Sequence, residues 1–270
     1  MTLWYRTGTV WFVMSASSAR ASRSAVVATL RAAGCVFAED EAGLLIAAAP
    51  TAADLERLVE QRATGLPLEQ VLGWAEFCGV RIKIDRGVFV PRRRSEFLVQ
   101  QAAVRTKPGA VVVDMCCGSG AIGAALAAVR SIEIYVVDID PAAVACARRN
   151  ISDHVYQGDL YEPLPTALRG RVDVLVVNAP YVPTDEIAFM PPEARLYEAR
   201  VALDGGVDGL DVQRRVVASA PLWLAPTGTL VIETSEQQAA QTAAMMSNAS
   251  LKPSVIRSDE LDATVVAGIR

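Results

Sequence analysis

The sequence predicts an α/β protein with a mostly parallel sheet, preceded by a small helical unit and a β-hairpin. Three observations carry that expectation. From Ala110 onward, short β-branched runs alternate with helix-length segments, the pattern of strands joined by helical crossovers. A glycine-rich loop, Gly118-Ser119-Gly120, follows the first of those runs. Ahead of them, residues 15–65 are rich in Ala, Leu, Arg and Glu and are punctuated by helix stops rather than strand turns.

The elements are expected in this order. Residues 1–13 are apolar and aromatic with one arginine; they are too short for a membrane span and weak as a signal peptide, and are expected to be a disordered extension upstream of Met14. Residues 14–65 form the helical domain: a helix from Ser22 to Ala33 stopped by Gly34, a second from Glu39 to Ala49 closed by Pro50, and a third opened by the capping box Thr51-Ala52-Ala53-Asp54 and running to about Thr64. Residues 66–95 form a linker whose hairpin runs Phe77–Ile84, turns at Asp85-Arg86-Gly87 and returns through Val88-Phe89-Val90. Residues 96–270 hold the sheet domain, which opens with helix 96–104 and the strand Val111-Val112-Val113. Then follow helix Ala121–Val129, strand Glu133–Asp138, helix Pro141–Asn150 with proline in its first turn, strand Val155–Gln157 and strand Val172–Val177. Helix Asp211–Trp223, strand Gly228–Glu233, helix Gln237–Ser247 and a closing hairpin over 253–258 and 263–269 complete the order.

Composition narrows the function. With 270 residues, 52% hydrophobic and 21% charged, the chain is a soluble globular protein that can build a full core. A net charge of −4 and a pI near 5.2 argue against broad nucleic-acid binding, and no segment is expected to enter a membrane. The five cysteines, at 35, 78, 116, 117 and 146, are odd in number and no pair has metal-ligand spacing, so reduced thiols and a cytoplasmic location are expected; a monomeric chain is a separate expectation. The single histidine, His154, has no ligand set around it, and no zinc is expected.

The chemistry gathers at Asn178-Ala179-Pro180-Tyr181, which follows the buried run Val172–Val177. A strand's carboxyl end is where an open α/β sheet binds ligands. There, Asn178 through its side-chain oxygen and Ala179 through its carbonyl can accept from the N–H groups of a planar nitrogen. Tyr181 can cover the face of the group so held. Gly118, Gly120 and Gly123 also satisfy the G-x-G-x-x-G dinucleotide spacing, with Asp138 twenty residues beyond Gly118. An NAD-dependent oxidoreductase is therefore a rival. Two features favour S-adenosylmethionine. Asp114-Met115-Cys116-Cys117 widen the loop and set a carboxylate at its mouth, which suits an ammonium and would repel a pyrophosphate. Asp159 and Leu160, after the third strand, supply an acceptor for an adenine amino group and an apolar contact.

These residues resemble a known family, the HemK-type protein-(glutamine-N5) methyltransferases, across about residues 15–270. The resemblance rests on Pro67–Gly73, Glu76–Gly79, Val90-Pro91-Arg92 with Glu96, Asp114–Gly120, Asn178–Tyr181 and, most specifically, the run Glu198–Leu210. It implies a seven-stranded Rossmann-like class I methyltransferase sheet, a helical domain that binds the protein substrate, and methylation of the Gly-Gly-Gln glutamine of a peptide-chain release factor. It further implies a cofactor site at Asp114, Cys116, Gly118, Ser119, Gly120, Asp138, Ile139, Asp159, Leu160 and Asn178. Catalysis falls to Asn178 through Tyr181, and substrate contact to Asn178, Pro180, Tyr181, Glu198 and Arg92. The chain departs from the family at Ala179, where proline is usual, at Arg93-Arg94-Ser95, at Cys116-Cys117 and at Thr234. Those departures leave open a ribosomal-protein glutamine, a nucleic-acid amino group, and a catalytically idle module that kept the fold.

Overall fold

The computed structural model describes residues 3–7, 10–14 and 16–270, with side chains from residue 23 onward. The chain divides into two compact units, Met1–Leu72 and Gly73–Arg270.

In the first unit β1 (Leu3–Thr7) pairs antiparallel with β2 (Val10–Met14). A disordered extension was expected over 1–13, of which residues 1–2 and 8–9 lie outside the described residues. The correction has a simple cause: aromatic and β-branched residues favour extended backbone, and each strand supplies the other's hydrogen-bond partners. Four helices follow: α1 (Ala16–Ala32), α2 (Ala38–Ala48), α3 (Ala52–Ala63) and α4 (Leu68–Leu72). The expected capping box at α3 is present, with Thr51 Oγ1 accepting from the Asp54 amide at 3.1 Å. Leu30, Ala42, Leu45 and Leu58 are buried. Among them Arg62 grips Glu41 through two hydrogen bonds, 2.6 and 3.1 Å, and donates to the Leu66 carbonyl at 3.2 Å. A buried pair of this kind is tolerable because the fork matches the carboxylate and a further donor is used on the Leu66 carbonyl.

In the second unit the hairpin is shorter than expected and lies earlier: β3 (Trp74–Phe77) pairs with β4 (Val80–Lys83). The turn is Cys78-Gly79, at φ 51° and 74°, the pair of left-handed residues that a two-residue hairpin requires. Cysteine is an uncommon first residue there, so the sequence pointed instead to Asp85-Arg86-Gly87; Val88–Val90 forms no strand. Nor is the hairpin a free linker, since Phe77, Ile82 and Ile84 are buried in the core beside α5 (Glu96–Ala103) and α6 (Ala121–Val129).

The sheet follows as β5 (Val111–Met115), β6 (Glu133–Asp138), β7 (Val155–Gln157), β8 (Val172–Val177), β9 (Leu224–Thr234), β10 (Lys252–Ser258) and β11 (Ala263–Ile269). Between them run α7 (Pro141–Ala147), α8 (Pro192–Tyr197), α9 (Asp211–Trp223) and α10 (Ala239–Asn248). The spatial order is β10-β11-β9-β8-β5-β6-β7. All neighbours are parallel except β11, which runs antiparallel to both β9 and β10. From β5 the chain winds outward to β6 and β7, then returns to β8 on the other side. The sheet's switch point therefore lies between β5 and β8, where a crevice opens at the carboxyl ends. Strand pleat sorts the core into two faces. Val113, Met115 and Val177 pack with Val216 and Ala220 of α9 on one side; Val112, Val174 and Val176 pack with Leu98 of α5 and Leu126 of α6 on the other.

Candidate active site

A cavity of about 270 Å³ occupies the crevice, walled by the segments that leave β5, β6, β7 and β8. The expected residues Cys116, Gly118, Ser119, Asp138, Ile139, Asp159, Leu160, Asn178, Ala179, Pro180, Tyr181 and Arg92 all line it. Asp114, Gly120 and Glu198 do not.

Asp114 is a correction. It was expected at the loop's mouth, facing an ammonium. In the structure it is the fourth residue of β5, and the pleat turns it to the Val112 face, beneath α6, where it is fully buried. Oδ2 accepts from the Gly123 amide at 2.9 Å, while Oδ1 has no partner. Burial pushes its pKa up to about 7, against the Gly123 bond that lowers it and with Asp138 raising it further. Asp114 thus ties the first turn of α6 to the strand below. Gly120 has a similar supporting role: it is the N-cap of α6 at φ 76°, and a Cβ there would lie 3.3 Å from Ala147 and Ile151.

The loop between them presents its backbone to the cavity. Cys116 stands at φ 59° and Gly118 at φ 55°, so Cys116 holds a left-handed conformation where most side chains cost about 1 kcal/mol. Asp138, at the end of β6, clasps this loop: its carboxylate accepts from the Gly118 amide at 2.8 Å and from the Asp140 amide at 2.9 Å. Burial raises its pKa, and the Asp140, Gly118 and Ile139 amides oppose the shift. A carboxylate has about four acceptor sites, which leaves acceptor capacity for a ligand hydroxyl. Ile139 beside it is half exposed and offers an apolar face. Asp159 forms a 2.6 Å ion pair with Arg215 of α9 through Oδ2, a partner the sequence reading had not foreseen. Burial, followed by Asp138 and Asp114, pushes the Cys116 thiol well above its ordinary value; none of the five cysteines is in a disulfide.

The opposite wall is Asn178 to Tyr181. Asn178 Nδ2 donates to Ser95 Oγ at 3.2 Å. Its Oδ1 and the Ala179 carbonyl accept no hydrogen bond from any described residue, so two acceptors stand open side by side. The Tyr181 hydroxyl donates to Glu233 at 3.4 Å, and burial raises its pKa to about 12. The loop is pinned from behind by Gln238, whose Nε2 donates to the Tyr181 carbonyl at 3.0 Å and to the Asp208 carbonyl at 2.9 Å. Glu198 is the second correction. Expected at the substrate, its side chain is wholly buried, with Oε1 accepting from the Val90 amide at 3.0 Å and Oε2 from Arg92 at 2.6 Å. It braces the segment that carries Arg92.

Ser95, Glu233 and Gln238 were missed, and Arg94 lines the cavity. A signal for Glu233 exists in the sequence, because a carboxylate ending the run Leu230-Val231-Ile232 must be buried and so must be partnered. Among the described residues no cluster of His, Cys, Asp and Glu could hold a metal ion. No described helix is long and apolar enough to cross a membrane.

Seven strands in this order, with a ligand crevice between β5 and β8 and open acceptors on its wall, define a Rossmann-like class I methyltransferase. In agreement, residues 79–206 match the family model of the methyltransferase small domain. The ribosomal protein L11 methylase of Lactobacillus delbrueckii subsp. bulgaricus shares the fold, with a TM-score of 0.51 at 15% identity over 70% of this chain and 84% of that one. The release factor glutamine methyltransferase of Geobacter sulfurreducens is 40% identical over 70% of this chain and 68% of that protein. The enzyme of the same name from Mycolicibacterium smegmatis is 36% identical over 83% and 86%. The chain belongs to the release factor glutamine methyltransferase family.

Proposed function

We propose that this protein transfers a methyl group from S-adenosylmethionine to the side-chain nitrogen of a glutamine in a peptide-chain release factor. The observation that carries the proposal is the pair of open acceptors, Asn178 Oδ1 and the Ala179 carbonyl, on the wall of the cavity. A primary amide has two N–H groups in one plane, and two adjacent acceptors are its complement.

The cavity suits the cofactor. The Cys116–Gly118 backbone can approach it closely, the remaining acceptor capacity of Asp138 suits a ribose hydroxyl, and Ile139 and Leu160 provide apolar contact for the adenine. When bound, S-adenosylmethionine supplies an electrophilic methyl group. Every other contribution comes from the chain itself. An amide nitrogen is a weak nucleophile because its lone pair is delocalised into the carbonyl. Accepting both N–H bonds increases electron density on nitrogen and fixes the direction of its lone pair. It also stabilises the positive charge that develops as the nitrogen is alkylated. No strong base is needed beforehand, since a proton can leave the alkylated nitrogen afterwards. Tyr181, held by Glu233, forms the side of the slot. The Met1–Leu72 unit is assigned to the protein chain around the glutamine, a role that its exposed Val36 and Phe37 suit.

The test uses labelled S-adenosylmethionine with release factor, ribosomes and RNA in parallel. Label is expected in the release factor alone, and lost when its Gly-Gly-Gln glutamine is replaced. Asn178→Ala should lower turnover about 100-fold and change the cofactor Kd less than threefold. Label confined to RNA or to a ribosomal protein would refute the substrate assignment.

A further inference from the structure

The two carboxylate oxygens of Asp159 are in different circumstances. Oδ2 is taken by Arg215 Nη2 at 2.6 Å, while Oδ1 accepts from no described residue. Both side chains line the cavity. The torsion that turns an aspartate carboxylate is broad, and the Asp159 side chain is 33% exposed, so packing alone leaves it free to turn. An arginine on one oxygen removes that freedom and leaves one bare acceptor.

Arg215 is itself held in place. It precedes Val216 of α9, whose carbonyl accepts from the buried Tyr161 hydroxyl at 2.8 Å. Tyr161 lies two residues after Asp159 and also stacks on Trp223 of the same helix, ring centres 5.4 Å apart. Between Asp159 and Tyr161, Leu160 stands at φ 50°, a left-handed conformation that a side chain of its kind keeps only when its surroundings impose it. The turn after β7 is thus fastened to α9, and the ion pair adds a second link between them at the cavity wall. Val212, one turn before Arg215 on the same face of α9, lines the cavity as well.

A half-exposed ion pair adds little stability, so the consequence of this one is directional. The amino group of an adenine offers only N–H donors, and a bare carboxylate oxygen is their complement. A base with a carbonyl in that place would set lone pairs against lone pairs. We propose that Arg215 is a specificity-determining residue for the base of the cofactor: it holds Asp159 Oδ2, so that Oδ1 faces the cavity and selects an amino-bearing purine over its carbonyl counterpart. The inference rests on the S-adenosylmethionine reading and extends it from the loops of the sheet to a helix.

The test is calorimetric binding of S-adenosylhomocysteine and S-inosylhomocysteine, whose base carries a carbonyl in place of the amino group; no turnover is needed. The wild-type protein should bind the adenosyl compound about 100-fold more tightly. Arg215→Ala should weaken the adenosyl compound about tenfold and the inosyl compound less than twofold. In an Asp159→Ala background, where Arg215 has nothing to hold, Arg215→Ala should change adenosyl binding less than twofold. Arg215→Met, which keeps the bulk without the charge or the donors, carries the same expectation should Arg215→Ala fold poorly. Equal weakening of both compounds, which a merely structural role would produce, overturns the proposal. So does a tenfold loss that persists in the Asp159→Ala background, or a wild-type protein that does not discriminate. Unchanged or tighter adenosyl binding in Arg215→Ala also overturns it, the tighter binding showing that the ion pair competes with the base. If the wild-type protein binds neither compound, the cofactor reading itself fails and this inference falls with it.

Discussion

Replacing Asp114 by Asn should change how the stability of this protein depends on pH. Asp114 is fully buried, with one oxygen on the Gly123 amide and the other unpartnered. Burial raises its pKa from 3.8 to about 7. The sign follows from proton counting. Above pH 4 the unfolded chain releases this proton while the folded chain keeps it, so folding stability falls as pH rises and goes on falling until about pH 7. Each pH unit in that window costs about 1.36 kcal/mol, so the group removes about 3 kcal/mol between pH 5 and 7 and little beyond. Asparagine does not titrate, and its Oδ1 keeps the Gly123 bond. Any fixed penalty for its buried NH2 cancels when two pH values are compared. The stability of Asp114→Asn relative to wild type should therefore rise by about 3 kcal/mol between pH 5 and pH 8. Urea unfolding followed by circular dichroism at the two pH values measures it. A difference below about 1 kcal/mol would refute the reasoning. It would mean that the amide and the positive end of α6 hold Asp114 ionised in the folded protein.

Three further substitutions probe the supports of the site. Gly120→Ala forces an L side chain to φ 76°, with its Cβ 3.3 Å from Ala147 and Ile151; it should cost about 1–2 kcal/mol and weaken cofactor binding, measured by calorimetry, whereas unchanged melting and Kd would show that the loop relaxes freely. Glu198→Gln retains an acceptor for Val90 but loses the charge facing Arg92. A loss of about 1–3 kcal/mol in urea unfolding is expected, with cofactor affinity unaltered; a specific rise in cofactor Kd would instead return Glu198 to the ligand. Gln238→Ala removes the donors to the Tyr181 and Asp208 carbonyls, and should raise KM for the protein substrate several-fold more than it raises cofactor Kd. Equal effects on both would show that the loop is held by other contacts.

Much of the fold is legible along the chain. The bounds of α6, β6, β7, β8 and α9 coincide with what apolar period, proline and glycine indicate. Each of those elements is a self-contained run whose local preference agrees with its place in the sheet. The hairpin was misplaced because its turn begins with Cys78, which reads as no turn residue. The expected pairing of glycine loop and Asn-Ala-Pro-Tyr at one crevice also holds, because strand order places the ends of β5 and β8 side by side.

Side-chain direction and partnership were another matter. Asp114 falls on the α6 face rather than at the mouth by the parity of one strand position, and parity acquires meaning only once both faces of the sheet are covered. Glu198 meets Val90 and Arg92 across more than a hundred residues. Asn178 meets Ser95 across 83. By itself the sequence determined the class of fold, the two loops and the chemical types available at their tips, since those depend on local propensity and residue identity. Only the tertiary structure decided which carboxylates face a ligand and which hold the scaffold, because a buried polar group takes whatever partner packing brings within about 3 Å.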